Sequence, residues 1–88
     1  MQLPRLKYIG GDLNCQGNKQ MTENSFPALE YIGGDIILAG SGFTKLPASL
    51  KTVAGRGIIS KTDPISLLKA MQEAVEKGII KGGIFYCD

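Results

Sequence analysis

The chain has 88 residues, of which 43% are hydrophobic and 20% are charged, a balance typical of a single globular domain over residues 1–88. Its formal net charge is only +2 and its lysines and arginines are scattered, which disfavours the clustered basic face of a nucleic-acid-binding protein. Histidine is absent and there are two cysteines, so the commonest general base is missing and a structural zinc site lacks ligands. The composition therefore argues against an enzyme, and it indicates neither a cofactor nor a metal.

No run of the sequence approaches the ~18 consecutive apolar residues of a membrane span. The N-terminal segment, MQLPRLKYIGG, has neither the charged region nor the apolar region of a secretory signal. We therefore expect no membrane association, and a cytoplasmic protein whose thiols are reduced.

A ten-residue string occurs twice, as LKYIGGDLNC from Leu6 and as LEYIGGDIIL from Leu29, 23 positions later. A third, more divergent copy, LKTVAGRGII, begins at Leu50, another 21 positions along the chain. Fixed spacing in this range indicates stacked structural units rather than a duplicated site. The predicted repeats cover residues of about 3–25, 26–45 and 46–62.

Each copy is predicted to contribute a short strand and apolar side chains to a common core. Side chains alternate between the two faces of a strand, so every second residue after the glycines points inward. The predicted core positions, in equivalent groups, are Leu6, Leu29 and Leu50; Ile9, Ile32 and Val53; Leu13, Ile36 and Gly57; and Cys15, Leu38 and Ile59.

The segment DPISLLKAMQEAVEKG predicts an α-helix over residues 64–77. Asp63 is a favourable N-cap and Gly78 a favourable C-terminal cap. We expect this helix to cover the end of the repeats. Its predicted apolar face consists of Leu68, Met71 and Val75.

The last segment, IKGGIFYCD, repeats the order of an apolar residue, two glycines and a β-rich run. It predicts a final strand over residues 79–87. Ile84 and Tyr86 then take the inward positions that Ile36 and Leu38 occupy in the second copy.

The strand segments read apolar-x-apolar-x-x-polar, as in Leu13-x-Cys15-x-x-Asn18. This pattern resembles the LxLxxN core of leucine-rich repeats, and is most similar to the short, glycine-rich GGDL-type repeats of bacterial and bacteriophage proteins. The resemblance covers residues of about 3–62, but glycine or alanine stands where the family has its first leucine. It implies an α/β solenoid with a parallel sheet of about four short strands and one C-terminal helix before the last strand.

Three other interpretations of the glycine-rich strings are less favoured. Hairpins with GGD as turns would not need leucine, tyrosine and isoleucine at fixed positions before the glycines. GSGFTK at residues 40–45 has the wrong spacing for a phosphate-binding loop and is followed by Leu46-Pro47 instead of a helix. GRG at residues 55–57 occurs once, in the position of GGD, which favours a structural role.

Three charged residues take equivalent positions in successive copies: Asp12, Asp35 and Arg56. An ion pair between Asp35 and Arg56 across adjacent strands is the favoured interpretation. A weak divalent-ion site on the two carboxylates is the alternative. Cys15 is expected in the core and Cys87 on the far strand, beyond the ~7 Å between Cα atoms that a disulfide tolerates.

Four outward positions align on successive strands and form what we call the outer row: Asn14, Ile37, Ile58 and Phe85. The fold does not require apolar side chains on the outside of a sheet, so we interpret this row as a partner-binding surface. Asp12, Asp35 and Arg56 are expected to flank it. Tyr8 and Tyr31 are expected to stack on each other near its edge.

These features favour a non-catalytic protein-binding module, since repeats present a surface and the residues for chemistry are missing. The resemblance to phage-type repeats implies a specific form: a small phage-encoded inhibitor of a host defence complex, acting in the host cytoplasm. The alternative is a structural or homo-oligomeric component that joins strand edge to strand edge. Binding of nucleic acid through Lys51, Arg56, Lys61 and the tyrosines ranks third, and an enzyme last.

Overall fold

A computed structural model of the chain describes residues 5–87. Leu3 and Pro4, which open the first predicted repeat, lie outside the described residues. Within residues 5–87 the chain forms two parallel β-sheets, a short 3-10 helix over Glu23–Ser25 and one α-helix. The α/β class and a single C-terminal helix before the last strand are confirmed.

The strands are two or three residues long, and adjacent strands run parallel in both sheets of the described chain. The first sheet has the order β1-β3-β5, with β1 Tyr8–Ile9, β3 Tyr31–Ile32 and β5 Thr52–Val53. The second sheet has the order β2-β4-β6-β7, with β2 Leu13–Asn14, β4 Ile36–Ile37, β6 Gly57–Ile59 and β7 Ile84–Tyr86.

The pairing register follows the sequence period in both sheets. Tyr8 pairs with Tyr31, and Leu13 pairs with Ile36, so equivalent residues of successive copies lie side by side. The prediction of a single sheet was wrong, because the Tyr-Ile pair that precedes the glycines forms a ladder of its own. The glycines at 10–11 and 33–34 stand between the two strands of a copy, and a Cβ on Gly33 would overlap the Gly10 carbonyl of the preceding copy.

The α-helix, α1, spans Ile65–Glu76 and ends as the sequence predicts. Gly78 has a φ of 77°, its N–H donates to the Val75 carbonyl at 3.1 Å, and the Ile79 N–H donates to the Ala74 carbonyl at 2.8 Å. These two bonds form a Schellman motif, which satisfies carbonyls at the end of the helix. Glycine is favoured here because other residues rarely adopt a positive φ.

The predicted N-cap is wrong. Pro64 takes the N-cap position, and no side chain bonds there to the first amides of α1. The Asp63 carboxylate accepts instead from the N–H of Ser60 at 2.8 Å and from the N–H of Gly40 at 3.0 Å. Asp63 therefore ties the second copy to the loop before the helix.

The predicted apolar face of α1 is rotated by about one residue. Leu67, Met71 and Ala74 are buried, whereas Leu68 and Val75 are half-buried at the margin of the core. Met71 is common to the predicted and the observed face, and it fills the space beside Gly57. A Cβ on Gly57 would lie 2.6 Å from Met71 Cε, which explains why glycine replaces the leucine or isoleucine of the earlier copies.

Among the described residues, the core consists mainly of aliphatic side chains, together with Phe26, Phe43, Met21, Met71 and Cys15. Phe26 and Phe43 are buried with ring centroids 6.2 Å apart. Phe43 was not among the predicted core positions. Among the described residues, the largest fully buried side chains are Phe26, Phe43, Leu29, Ile32, Ile36, Leu38, Ile59, Leu67, Met71, Ile80 and Val53.

The inward position predicted for Tyr86 is only partly correct. Tyr86 pairs with Ile59 in the expected register, but its side chain is 46% exposed. Ile84 pairs with Gly57 and is half-buried. The core positions of β7 are therefore incompletely covered.

Candidate functional site

The structure brings the four residues of the outer row together. Asn14 pairs with Ile37, Ile37 with Ile58, and Ile58 with Phe85, each across adjacent parallel strands. Asn14 and Phe85 lie on the outermost strands of the second sheet and are exposed, whereas Ile37 and Ile58 are half-buried between their neighbours. The sequence neighbours of Asn14, Ile37 and Ile58 are buried in the core, so period-two alternation correctly identified these three outward side chains.

The charged residues beside the outer row form a ladder of side-chain-to-backbone bonds. Asp12 Oδ1 accepts from the Asp35 N–H at 2.7 Å, and Asp35 Oδ1 accepts from the Arg56 N–H at 2.7 Å. Asp35 Oδ2 also accepts from Arg56 Nη2 at 3.2 Å, so the predicted ion pair is confirmed. Each carboxylate therefore holds the equivalent residue of the next copy, a role that sequence reasoning missed although the aspartate recurs with the period.

The same hydrogen bonds determine which oxygen atoms of Asp12 and Asp35 are already occupied, and so they matter for the alternative of a divalent-ion site on these carboxylates. One oxygen of Asp12 and both oxygens of Asp35 already accept hydrogen bonds from N–H groups. Across residues 5–87, no group of three or more histidine, cysteine or acidic side chains lies close enough to hold a metal ion. The aspartates are therefore best explained by the ladder.

The hydrogen bond from the Arg56 amide, together with the bond from its guanidinium, lowers the pKa of Asp35. A carboxyl with a depressed folded pKa contributes stability above its unfolded pKa of about 3.9, and this contribution is lost as the pH falls through the folded pKa. We expect Asp35→Asn to cost about 1 kcal/mol or less near neutral pH, because the pair is partly screened by solvent. The difference from wild type should shrink as the pH falls below about 4.

Urea unfolding of both proteins at a series of pH values measures this difference. A free-energy gap between wild type and Asp35→Asn that stays constant from neutral to acidic pH would contradict a role for the ionised carboxylate.

Arg56 also connects the charged ladder to the outer row. Its guanidinium carbon lies 5.1 Å from the centroid of the Phe85 ring, a distance at which a cation is attracted to the aromatic face. One side chain therefore contacts both Asp35 and Phe85. Sequence reasoning placed these residues near each other but did not predict this contact.

The predicted stack of tyrosines is present beside the first sheet. The rings of Tyr8 and Tyr31 lie with centroids 4.9 Å apart and planes 2° from parallel. Tyr8 is 62% exposed, and its ring lies within 3.4 Å of the position that a Cβ on Gly10 would take. Large amphipathic rings of this kind are enriched at protein interfaces.

The two cysteines have separate environments. Cys15 is buried in the core, and this burial raises the pKa of its thiol. Cys87 is exposed just after β7. Neither thiol is bonded to the other, and Cys15 packs as a small apolar residue.

Taken together, the outer row, the Arg56–Phe85 contact and the stacked tyrosines offer apolar and aromatic contact surface with a few fixed charges. No helix among the described residues is both long enough and apolar enough to cross a membrane. Comparison with protein-family models, curated proteins and solved structures gave no match, so the function is argued from the chain's own residues.

Proposed function

We propose that the chain is a short, leucine-rich-repeat-like solenoid that binds a protein partner through the outer row and performs no catalysis. The observation that carries this proposal is the alignment of Ile37, Ile58 and Phe85 on the outside of the second sheet. The solenoid is supported by the common register of both ladders, in which successive copies pair residue for residue. A stack of this kind presents an extended surface.

A protein partner fits this surface better than a nucleic acid. Arg56, the cation nearest the outer row in the pairing register, is held by the Asp35 carboxylate. A site for phosphates needs several unpaired cations, whereas a protein interface tolerates an apolar centre with a polar margin. The polar margin here is Asp12, Asp35 and Arg56, with Tyr8 and Tyr31 on the first sheet.

The more specific proposal is that the partner is a host protein complex and that the chain is a phage-encoded inhibitor acting in the cytoplasm. Its support is the resemblance of the YIGGD repeats to the GGDL type, together with the small size of the chain. Binding through an exposed sheet face is compatible with inhibition by occlusion of the partner's own interface.

A pull-down with matched variants tests the outer row. We expect the double substitution Ile37→Asp, Ile58→Asp to weaken capture of the partner by at least about tenfold, because it places two charges in the apolar centre of the interface. Phe85→Ala is a milder variant, since its side chain is 47% exposed and its loss disturbs the fold less. Ile65→Asp is the matched control, because Ile65 is 70% exposed on α1.

Circular dichroism must show that each variant is folded before the captured proteins are compared. A partner that folded Ile37→Asp, Ile58→Asp protein retains as strongly as wild type does would overturn the assignment of the outer row. Loss of the partner with the Ile65→Asp control as well would indicate a different surface.

A further inference from the structure

The outer side of β7 carries backbone groups that are available for another strand. The Gly57 N–H donates to the Gly83 carbonyl at 2.8 Å and the Cys87 N–H donates to the Ile59 carbonyl at 3.0 Å, so residues 83 and 87 face β6. Successive residues of a strand turn their N–H and C=O groups to opposite sides. Ile84 and Tyr86 therefore direct theirs away from β6, where within residues 5–87 no further strand pairs.

The other edge of the same sheet is β2, and it has the opposite pattern. The Leu13 N–H donates to the Asp35 carbonyl at 2.9 Å and the Cys15 N–H donates to the Ile37 carbonyl at 2.8 Å. Asn14, between them, therefore turns its N–H and C=O away from β4. In the described part of the chain β2 also has no neighbour on that side.

These two edges are complementary to each other in a parallel register. In every existing pair of this sheet, the residues equivalent to Leu13 and Cys15 bond to the following strand, and those equivalent to Asn14 bond to the preceding strand. On β7, Ile84 and Tyr86 present the N–H and C=O groups that would bond to a following strand. On β2, Asn14 presents the N–H and C=O groups that would bond to a preceding strand.

The side chains of β7 also leave room for a further strand beside them. Ile84 and Tyr86 occupy core positions, yet Tyr86 is 46% exposed and Ile84 is half-buried. Leu68 of α1 lines a groove with Tyr86, and Val75 lines a neighbouring groove with Ile84. Along β4 and the residue after it, which cover the equivalent positions of β2, the inward residues are Ile36 and Leu38, one on each side of the outward Ile37.

We propose that a second copy of the chain fills this place by adding its β2 edge to the β7 edge of the first. The Ile84 N–H would then donate to the Asp12 carbonyl of the next copy, and the Tyr86 N–H to its Asn14 carbonyl. Leu13 and Cys15 of the next copy cover Ile84 and Tyr86. Phe85 lies beside Asn14 of the next copy, so the outer row continues from one copy to the next.

Because the two edges differ, this contact is head-to-tail, and a dimer still has one open β2 edge and one open β7 edge. The mass of the assembly therefore rises with protein concentration instead of stopping at a dimer. This proposal is independent of the proposed partner binding, since it uses the strand edges and not the exposed face of the outer row.

The test uses one proline variant for each edge. Of the backbone donors, Tyr86→Pro removes one N–H, which faces away from β6, and Asn14→Pro removes one N–H, which faces away from β4; proline is tolerated at such edge positions. Asn14→Pro also removes the side-chain oxygen that accepts from the Gln16 N–H at 3.0 Å. We expect wild-type protein to exceed its monomer mass of 9.4 kDa as its concentration is raised from about 10 µM to about 1 mM in light scattering. Each variant alone should remain a monomer.

An equimolar mixture of the two variants is the decisive sample. Tyr86→Pro keeps an intact β2 edge and Asn14→Pro keeps an intact β7 edge, so the mixture should give a heterodimer of twice the monomer mass and nothing larger. A wild-type protein that stays monomeric over this range, or a mixture of folded variants that stays monomeric, overturns the proposal. Oligomers of either single variant like those of wild type also overturn it.

A second variant covers the case in which a proline prevents folding. Tyr86→Glu places a charge on an exposed side chain of the monomer but at the centre of the proposed contact. It keeps its β2 edge, so a small fraction of Tyr86→Glu added to wild type should stop chain growth and lower the average mass. An unchanged average mass overturns the proposal.

Discussion

Substitution of Phe43 by alanine is expected to destabilise the protein by about 3–5 kcal/mol, the range for removing a large aromatic side chain from a core. Phe43 is 0% exposed and stacks with Phe26, which is 1% exposed. Small domains have a total stability of only about 5–15 kcal/mol, so this loss removes a large share of it. Thermal unfolding should show a decrease in Tm of more than about 10 °C.

Phe85→Ala is the control for this prediction, since it deletes the same atoms from a side chain that is 47% exposed. We expect it to cost less than about 1 kcal/mol, mainly through loss of the Arg56 contact. Similar losses of Tm in the two variants would mean that the segment around Phe43 is not part of the core.

The burial of Phe43 is also a feature of the fold that the repeat in the sequence does not predict. The period of the repeat was sufficient to predict parallel pairing, because a fixed spacing places equivalent residues side by side. Phe43 stands outside the ten-residue repeated string, in the variable segment between two copies. Its burial depends on which return path the chain takes to the next strand, and the repeated string does not specify that path.

The first sheet was missed for a related reason. Strands such as β1, Tyr8–Ile9, have only two residues, which is too short for a period-two pattern to be distinguished from a turn. The rotation of α1 was missed because both Leu67 and Leu68 fit an apolar face. Met71 belongs to both faces, and the choice between Leu67, which is buried, and Leu68, which is half-buried, depends on the elements packed against the helix.

The candidate site was more predictable than these features. Alternation along β4 and β6, together with the period, placed the outer row and the Asp35–Arg56 pair correctly. The exposure of Tyr86 was not predictable in the same way, because it depends on what lies beyond the last strand. A local pattern gives the direction of a side chain, but its burial requires the neighbouring elements.

Substitution of Gly34 by alanine is expected to cost about 1–3 kcal/mol, as overpacking of a close contact does. A Cβ at Gly34 would overlap the Asp12 carboxylate and would lie 3.0 Å from the carbonyl carbon of Gly11. The Asp12 carboxylate has to move, and its hydrogen bond to the Asp35 N–H is then lost. The Gly34 N–H also donates to the Gly11 carbonyl at 2.9 Å, so the backbone cannot move away freely.

Gly11 offers the matched control, since it is the equivalent residue of the first copy. A Cβ on Gly11 would meet nothing within 4 Å, so we expect Gly11→Ala to change the stability by less than about 1 kcal/mol, in the favourable direction. Urea unfolding measures both variants, and equal effects would contradict the close approach of successive copies. The double variant Asp12→Ala, Gly34→Ala should lose less free energy of unfolding than the two single variants lose in sum. Removing the carboxylate relieves the overlap that the new methyl group creates.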